Sequence, residues 1–418
     1  MSQVPKLSQA TGKTALGEWI TFALLAAFAA ALLIFALLAH LDDPLYPTDL
    51  RAFYTVGTML KHDLRCDVYT ESAQQAIKKS LWGPWTEREN YTHPPFESLL
   101  YWGLSYLPFR AAYVAWDLLN LVLLGWALYL LKPYAAHLDT GSRLTLALAV
   151  LCPLISTLRE GQNLILLVLS CVGAFVCLKN RREFAAGCSL GAGLFRFQFV
   201  LPLLLIFAAL KKWKIVLGVA LVGAVLGLVS LALVGWAGIR HYIALLSALS
   251  TSTAFPALVP AMPNVRGFIN VLFAGRLGPH YLTLLETAGL FVLLSWPILE
   301  WRRRGWEPDG KTFDLLFSLS IVVCVMTSHH LLINGLLLLI VPALLLLDYA
   351  AAAYPSGLRR WRLAVPLLLL FPMTIFLNLE VENRLGFLLP VILWLAFAIS
   401  KEIPKAQKQT GGGERGRS

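Results

Sequence analysis

The chain has 418 residues, of which 58% are hydrophobic and only 14% charged, with a mean hydropathy of +0.68 and a formal net charge of +11. A soluble globule carries about 25% charged residues and needs amphipathic surface helices to solvate it, and this sequence offers almost none. The composition excludes a large soluble protein with merely buried helices. It points instead to an all-α polytopic integral membrane protein, with the lipid bilayer rather than a nucleic acid as its first partner.

The N-terminal tail, residues 1–18, carries Lys6 and Lys13 and is expected in the cytoplasm. The apolar run 19–39 is too long for a signal-peptide core, and His40-Leu41-Asp42-Asp43-Pro44 is not a small-residue cleavage site, so it reads as a retained first span. Further apolar stretches of spanning length follow at 113–131, 215–234, 283–299, 313–327, 331–347, 363–378 and 386–399, within a membrane domain expected over 19–400. With the less regular segments between them, about 10–13 spans are expected. Because both termini read as cytoplasmic, their number should be even.

Residues 40–92 form a loop too long for a simple connection, and it lies outside if the first helix spans. Asp42, Asp43 and Asp49 stand just beyond that span, with Arg51 two positions after Asp49. Carboxylates at a membrane surface are well solvated, so an acidic outer loop is the plain reading of Asp42 and Asp43. Thr48 or Asp49 is suited to cap a helix that follows. The loop ends in Asn90-Tyr91-Thr92-His93-Pro94-Pro95-Phe96, whose prolines stiffen the approach to the next apolar segment. His93 there is either functional or a simple interfacial amphiphile. Asn90-Tyr91-Thr92 also fits the short N-glycosylation triplet.

The first half admits two topologies. In one, 94–108 is a short second span and 183–210 a single long one, which leaves Lys179-Asn180-Arg181-Arg182 outside. In the other, 94–108 is re-entrant or interfacial and 183–210 is a broken pair with Arg196 at its outer turn; the charge rule prefers this one, and the plainness of 94–108 as an apolar segment prefers the first. Arg159-Glu160-Gly161-Gln162-Asn163 is a polar cluster between apolar segments, either a turn or a buried network. Arg196 and Gln198 interrupt an apolar run, and an intramembrane ionisable group is a functional hypothesis by default, set against a structural ion pair.

After the basic Lys211-Lys212-Trp213-Lys214, a second long outer segment, 236–282, contains no Asp or Glu but holds Arg240, Arg266 and Arg276, with Asn264 in its Pro-rich part. A basic outer loop runs against the usual bias and suits a phosphate, or else lies on anionic lipid. Thr327-Ser328-His329-His330 places two imidazoles at an outer helix junction, where only one of two adjacent residues would face a site. Arg302–Arg304 and Arg359-Arg360-Trp361-Arg362 are inside, and 401–418 reads as a basic, disordered cytoplasmic tail. The six cysteines show neither metal-ligand spacing nor a disulfide framework. Taken together, the outer face suits chemistry on a lipid-linked phosphate, with a carboxylate as proton acceptor and arginines against the leaving group.

Several motifs together resemble glycosyltransferase family 87, polytopic glycosyltransferases of the C-type fold that include polyprenyl-phosphate-mannose-dependent mannosyltransferases. They are Pro-Thr-Asp-Leu-Arg-Ala-Phe-Tyr-Thr-Val-Gly at 47–57, Val-Tyr at 68–69, Tyr-Thr-His-Pro-Pro-Phe at 91–96 and Leu-Arg-Glu-Gly-Gln-Asn at 158–163. The small-residue stretch leading to Phe-Arg-Phe-Gln at 195–198, Pro-Asn-Val-Arg-Gly at 263–267 and Thr-Ser-His-His at 327–330 complete the set. Each is short; order and spacing carry the resemblance, over about residues 20–350.

It implies an inverting transfer of a hexose, mannose first, from a polyprenyl-phosphate donor to a lipid-linked or glycan acceptor on the extracytoplasmic side of the plasma membrane. By motif the general base falls on Asp49, with Asp42 and Asp43 as alternatives. Arg196 stands where the family commonly has lysine, and 70–90 is longer than expected. The candidate substrate contacts are Arg51, Tyr91, His93, Gln162, Arg196, Asn264, Arg266, His329 and His330. No cofactor or metal is expected, although Asp42 and Asp43 could bind a cation. A transporter or flippase of a lipid-linked or anionic solute is the alternative; no internal repeat favours it.

Overall fold

The computed structural model describes residues 48–83, 90–250, 258–354, 357–379 and 384–412. The expected first span, 19–39, and the carboxylates Asp42 and Asp43 lie outside the described residues. Everything described is helix and connecting turn, with no β-sheet.

Helices α1 (Asp49–Lys61) and α2 (Glu71–Trp82) occupy what the sequence marks as the first outer loop. Then come α3 (Ser98–Leu104), α4 (Phe109–Leu131), α5 (Thr140–Arg159), α6 (Leu164–Lys179), α7 (Glu183–Ala192) and α8 (Phe197–Ala209). Helix α9 (Trp213–Ser250) is broken at Gly235, whose φ of 64° no helix accommodates. The remainder are α10 (Val265–Phe273), α11 (Pro279–Arg304), α12 (Lys311–Thr327), α13 (Ile340–Ala353), α14 (Leu358–Leu379) and α15 (Leu389–Gly412).

Seven of the described helical segments are long and apolar enough to cross a bilayer, or eight if α7 and α8, bent by 63°, count as one span. Counting apolar stretches in the sequence gives a larger number, for a physical reason. At 1.5 Å per residue, the 16 residues of α6 reach only about 24 Å, short of a hydrocarbon core of about 30 Å. Helix α6 instead lies inside protein, where length need not match lipid; its residues from Leu164 to Leu178 are mostly buried. The same holds for α12, in which every residue from Phe313 to Thr327 is buried.

An apolar helix can be wrapped by protein or by lipid, and its sequence looks alike in both cases. The span containing α13 is 83% buried and forms the centre of the bundle, whereas that of α11 is 11% buried and presents Leu284, Phe291 and Val292 outward.

Residues 183–210 are broken, and the bent pair counts either as one broken span or as a re-entrant loop. Segment 98–104 is a seven-residue helix, far too short to cross, and Arg196 sits in the 3-10 turn Leu194–Arg196 at the bend between α7 and α8. The small residues before that turn exist for packing. A Cβ on Gly187 would fall 2.1 Å from the Ile215 carbonyl oxygen, so α7 and α9 touch backbone to backbone.

One end of the bundle collects the basic segments. Lys212 pairs with Glu183 (2.8 Å), Lys179 with Asp314 (2.7 Å), Lys311 with Asp348 (2.7 Å), Arg359 with Glu402 (3.4 Å) and Arg360 with Asp139. Segments 179–182, 211–214, 302–304 and 359–362 thus share one face. Helix α15 differs from the expected disordered tail: it continues to Gly412, with Glu402, Ile403 and Ala406 buried. Glu402 accepts from Tyr354 (2.7 Å) and Lys405 (2.6 Å), which gives that turn a reason to stay helical.

Candidate functional site

The opposite end begins with an irregular turn. After α5, residues 160–163 leave helical geometry before α6 starts, and Gly161 has φ +64°. Backbone freed from a helix at membrane depth must find partners within the protein. Tyr113 Oη on α4 donates to the carbonyls of Leu158 (2.9 Å) and Arg159 (2.8 Å), and Trp116 Nε1 donates to that of Gly161 (2.8 Å). Leu50 N donates to the Glu160 carbonyl (3.0 Å), which fastens the first turn of α1 to this turn.

Thr48 occupies the N-cap position of α1 without a side-chain cap bond, and Asp49 is the first helical residue, an acid at the positive end of the helix dipole. A Cβ on Gly161 would lie 2.5 Å from the Leu50 Cβ, and φ +64° is itself costly for any other residue. Gly161→Ala is therefore expected to destabilise the protein by about 1–3 kcal/mol and to displace Asp49. A lowered thermal midpoint together with a larger loss of function than Gly125→Ala, whose Cβ meets open space, would check this.

From Asp49 a chain of side-chain contacts runs inward. Gln162 Nε2 donates to Asp49 Oδ2, and Gln162 Oε1 accepts from Arg196 Nη2. An amide has one donating and one accepting end, so these two partners fix which way Gln162 points. Arg196 Nε donates to Asn163 Oδ1 (3.0 Å), and Asn163 Nδ2 donates to Glu97 Oε1 (2.6 Å). Glu97, with no exposed side-chain surface, also accepts from Tyr101 Oη (3.1 Å) and bonds His93 Nδ1 (2.8 Å). Phe53 on α1 stacks on Tyr101 at 4.5 Å and meets His93 edge-on at 4.9 Å, closing the network on its outer side.

A second cluster lies beside it. Asn264 caps α10, its Oδ1 accepting from Gly267 N (2.8 Å), and its Nδ2 donates to the Ser328 carbonyl (2.7 Å). It is a clamp between α10 and the turn after α12. One residue pair further, Arg266 Nη1 contacts His329 Nε2 (2.9 Å), with Glu286 3.9 Å from Arg266 Nε. Since guanidinium only donates, Nε2 accepts and His329 is neutral. His330 joins the clusters electrostatically: Arg196, His329, Arg266 and His93 all act on it.

Burial first, then these charges, pushes the His330 imidazole down to about 4; burial and Arg266 lower His329. Burial also lowers His93, against the opposing pull of Glu97. Between about 4 and the ordinary value of 6.5, the unfolded chain binds a proton that folded His330 refuses. Stability therefore rises with pH across that window and is lost as pH falls through it. The thermal midpoint at pH 5 is expected to lie below that at pH 7.5, and His330→Gln to flatten the difference.

The structure thus brings together Asp49, Gln162, Arg196 and His93 in one network, and Asn264, Arg266 and His329 in another beside it. Two further candidates pack against rings beside these groups, Tyr91 at 5.7 Å from His93, ring centre to ring centre. Arg51 lies over the rings of Trp82 (5.1 Å) and Phe109 (5.8 Å), and Tyr91 is buried with its Oη donating to the Pro94 carbonyl (2.9 Å).

Glu97, the hub, escapes a reading of 94–108 as a plain apolar segment. Its signal was available: a carboxylate within that segment, four residues after a histidine, on one helical face. Among the described residues no group of three or more His, Cys, Asp or Glu could hold a metal ion. Compared with known proteins, the profile of glycosyltransferase family 87 matches residues 91–328, a range that leaves Asp49 outside it. No curated protein and no solved structure matches the chain.

Proposed function

The chain belongs to glycosyltransferase family 87, whose profile covers more than half of it, and we propose that it moves a hexose, mannose first, from a polyprenyl-phosphate donor to a lipid-linked or glycan acceptor with inversion. The observation that carries this reading is Gln162, which stands between a carboxylate and a guanidinium and touches both. Asp49 takes the proton of the acceptor hydroxyl as that oxygen attacks the anomeric carbon. The bond from that carbon to the phosphate oxygen breaks, and polyprenyl phosphate leaves with its electron pair. Gln162 and Asn163 take two of the five N–H donors of Arg196, which leaves others for the phosphate. Arg266, with His329 beside it, supplies a second cation on the same end of the bundle. Single displacement needs one base and no covalent intermediate, and no metal is assigned a role.

We place this end on the extracytoplasmic face. The support is that the basic segments collect at the other end, where the positive-inside rule puts the cytoplasm. Single cysteines near Asp49, Arg266 and His329 are expected to label with a membrane-impermeant reagent in intact cells, and cysteines near Arg303 and Arg360 not to. The reverse pattern would turn the assignment over.

The direct test is transfer by purified protein in nanodiscs. Radiolabelled mannose, glucose, galactose and arabinose donors on polyprenyl phosphate are offered with a membrane-extracted acceptor pool. Labelled product from one donor supports the reading. No product from any of them, with flux of unchanged solute in proteoliposomes, favours the transporter.

A further inference from the structure

At the basic end, a cavity of about 410 Å³ opens between two turns. One is Ala209–Lys212, between α8 and α9; the other joins the end of α11, Trp301 and Arg302, to Gly305 and Trp306. The 13 residues of α8 separate it from Arg196 by about 20 Å, so it is not the donor site.

Its chemistry is cationic and aromatic. Lys211 is exposed and held at φ 58°, a left-handed conformation that stops α8 and turns the chain into α9. Arg302 Nη2 donates to the Ala209 carbonyl (3.0 Å), which ties the two turns together and fixes the guanidinium at the rim. Lys212 Nζ lies 4.0 Å from the centre of the Trp306 ring, and Trp301 packs on Trp306 at 4.7 Å. Glu183 pairs with Lys212 (2.8 Å), and Glu300, one residue before Trp301, pairs with Arg303 and Arg304.

The surroundings are lipid-facing. Leu205 on α8, Leu217 on α9 and Leu299 on α11 are exposed around the cavity, as is the indole of Trp213. Exposed leucines beside an exposed tryptophan, at the ends of apolar helices, mark the boundary between hydrocarbon and headgroup.

We propose that this cavity binds the phosphate of an anionic glycerophospholipid, with the acyl chains lying on the exposed leucines. Lys211 and Arg302 contact the phosphate, and the Trp301–Trp306 wall packs against the glycerol region. A basic pocket between helix ends on the cytoplasmic side is suited to this class of headgroup. The inference is independent of the transfer reaction, and its test does not use it.

Delipidated protein in neutral detergent is titrated with phosphatidylglycerol, phosphatidylcholine or inorganic phosphate, and the thermal midpoint is followed. Phosphatidylglycerol is expected to raise the midpoint saturably above phosphatidylcholine, while inorganic phosphate does not. The double variant Lys211→Gln, Arg302→Gln is expected to bind phosphatidylglycerol about tenfold or more weakly. Because Arg302 also holds the Ala209 carbonyl, Lys211→Gln alone serves as the second variant; it should weaken binding severalfold from an unchanged starting midpoint. An equal rise with phosphatidylcholine, an equal rise with inorganic phosphate, or undiminished phosphatidylglycerol binding in both variants would overturn the proposal.

Discussion

Asp49→Asn is expected to lower transfer by at least about 10²-fold while the protein folds, reaches the membrane and still binds donor. In a sugar phosphodiester the departing phosphate already carries its charge comfortably. The harder task is to make an acceptor hydroxyl nucleophilic as the anomeric carbon becomes positive, and an ionised carboxylate does this by accepting the proton late. Asparagine keeps the size of Asp49 but not its basicity. It also meets Gln162 Nε2 with an amide, so Gln162 retains a partner only if the new carbonyl takes the place of Oδ2.

The comparison that decides is turnover of Asp49→Asn, Asp42→Asn and Asp43→Asn at matched expression and saturating donor. Full activity in Asp49→Asn with loss in either neighbour would move the base along the chain. Activity in all three would leave the imidazoles of His93, His329 or His330 as the better acceptors.

Glu97→Gln has the second-largest expected effect. Asn163 and Tyr101 donate into the Glu97 carboxylate, and His93 Nδ1 meets it at 2.8 Å, so Glu97 is an acceptor with several donors. All three meet Oε1, and among them only His93 Nδ1 also reaches Oε2 (3.0 Å), so a glutamine whose carbonyl takes the place of Oε1 turns its NH₂ toward His93. Hydrogen bonds to a charged group contribute about 1.5–3 kcal/mol, so a loss of that order in stability is expected. The functional consequence travels through Asn163, whose anchor weakens from a carboxylate to an amide carbonyl, and with it the hold on Arg196 Nε.

Misplacing a positioning group by an ångström costs on the order of 10²-fold, and here the cost should fall on KM for the donor more than on kcat. Asn163→Asp, which offers a carboxylate to Arg196 but repels Glu97, should show the same split. Glu97→Gln with a wild-type donor KM would confine Glu97 to stability.

The helical, membrane-spanning character of the chain was legible because composition and run length are direct consequences of the solvent. The break at Arg196 was legible as well: a charge in an apolar run had to mark a turn or a polar network, and Arg196 stands in a turn with its guanidinium bonded to Asn163 and Gln162. What sequence could not supply was which apolar helices face lipid. The spans of α13 and α11 read alike and differ from 83% to 11% in burial. Nor could it supply the pairing of polar groups. Gln162 and Asn163 were visible as members of a cluster, but that one faces Asp49 and the other Glu97 depends on the left-handed Gly161 just before them. The packing of Arg51 was not legible either: its guanidinium lies over the Trp82 ring, and residues two apart on a helix point in different directions.

The order in which these groups occur along the chain bears on biosynthesis. Helices α6 to α9 are consecutive and pack closely on one another, so this unit can form as it leaves the ribosome. The candidate site is different: it draws on residues 49, 93–97, 162–163, 196, 264–266 and 328–330. Arg196 is committed to its bend more than 130 residues before His329 is synthesised to stand near Arg266. Until the turn after α12 is inserted, a nascent chain has the residues around Arg196 but not the His329 that stands beside Arg266. Only a chain synthesised past His330 can bring both cationic clusters together, so under the proposed reaction a shorter chain lacks the second of its two cationic contacts.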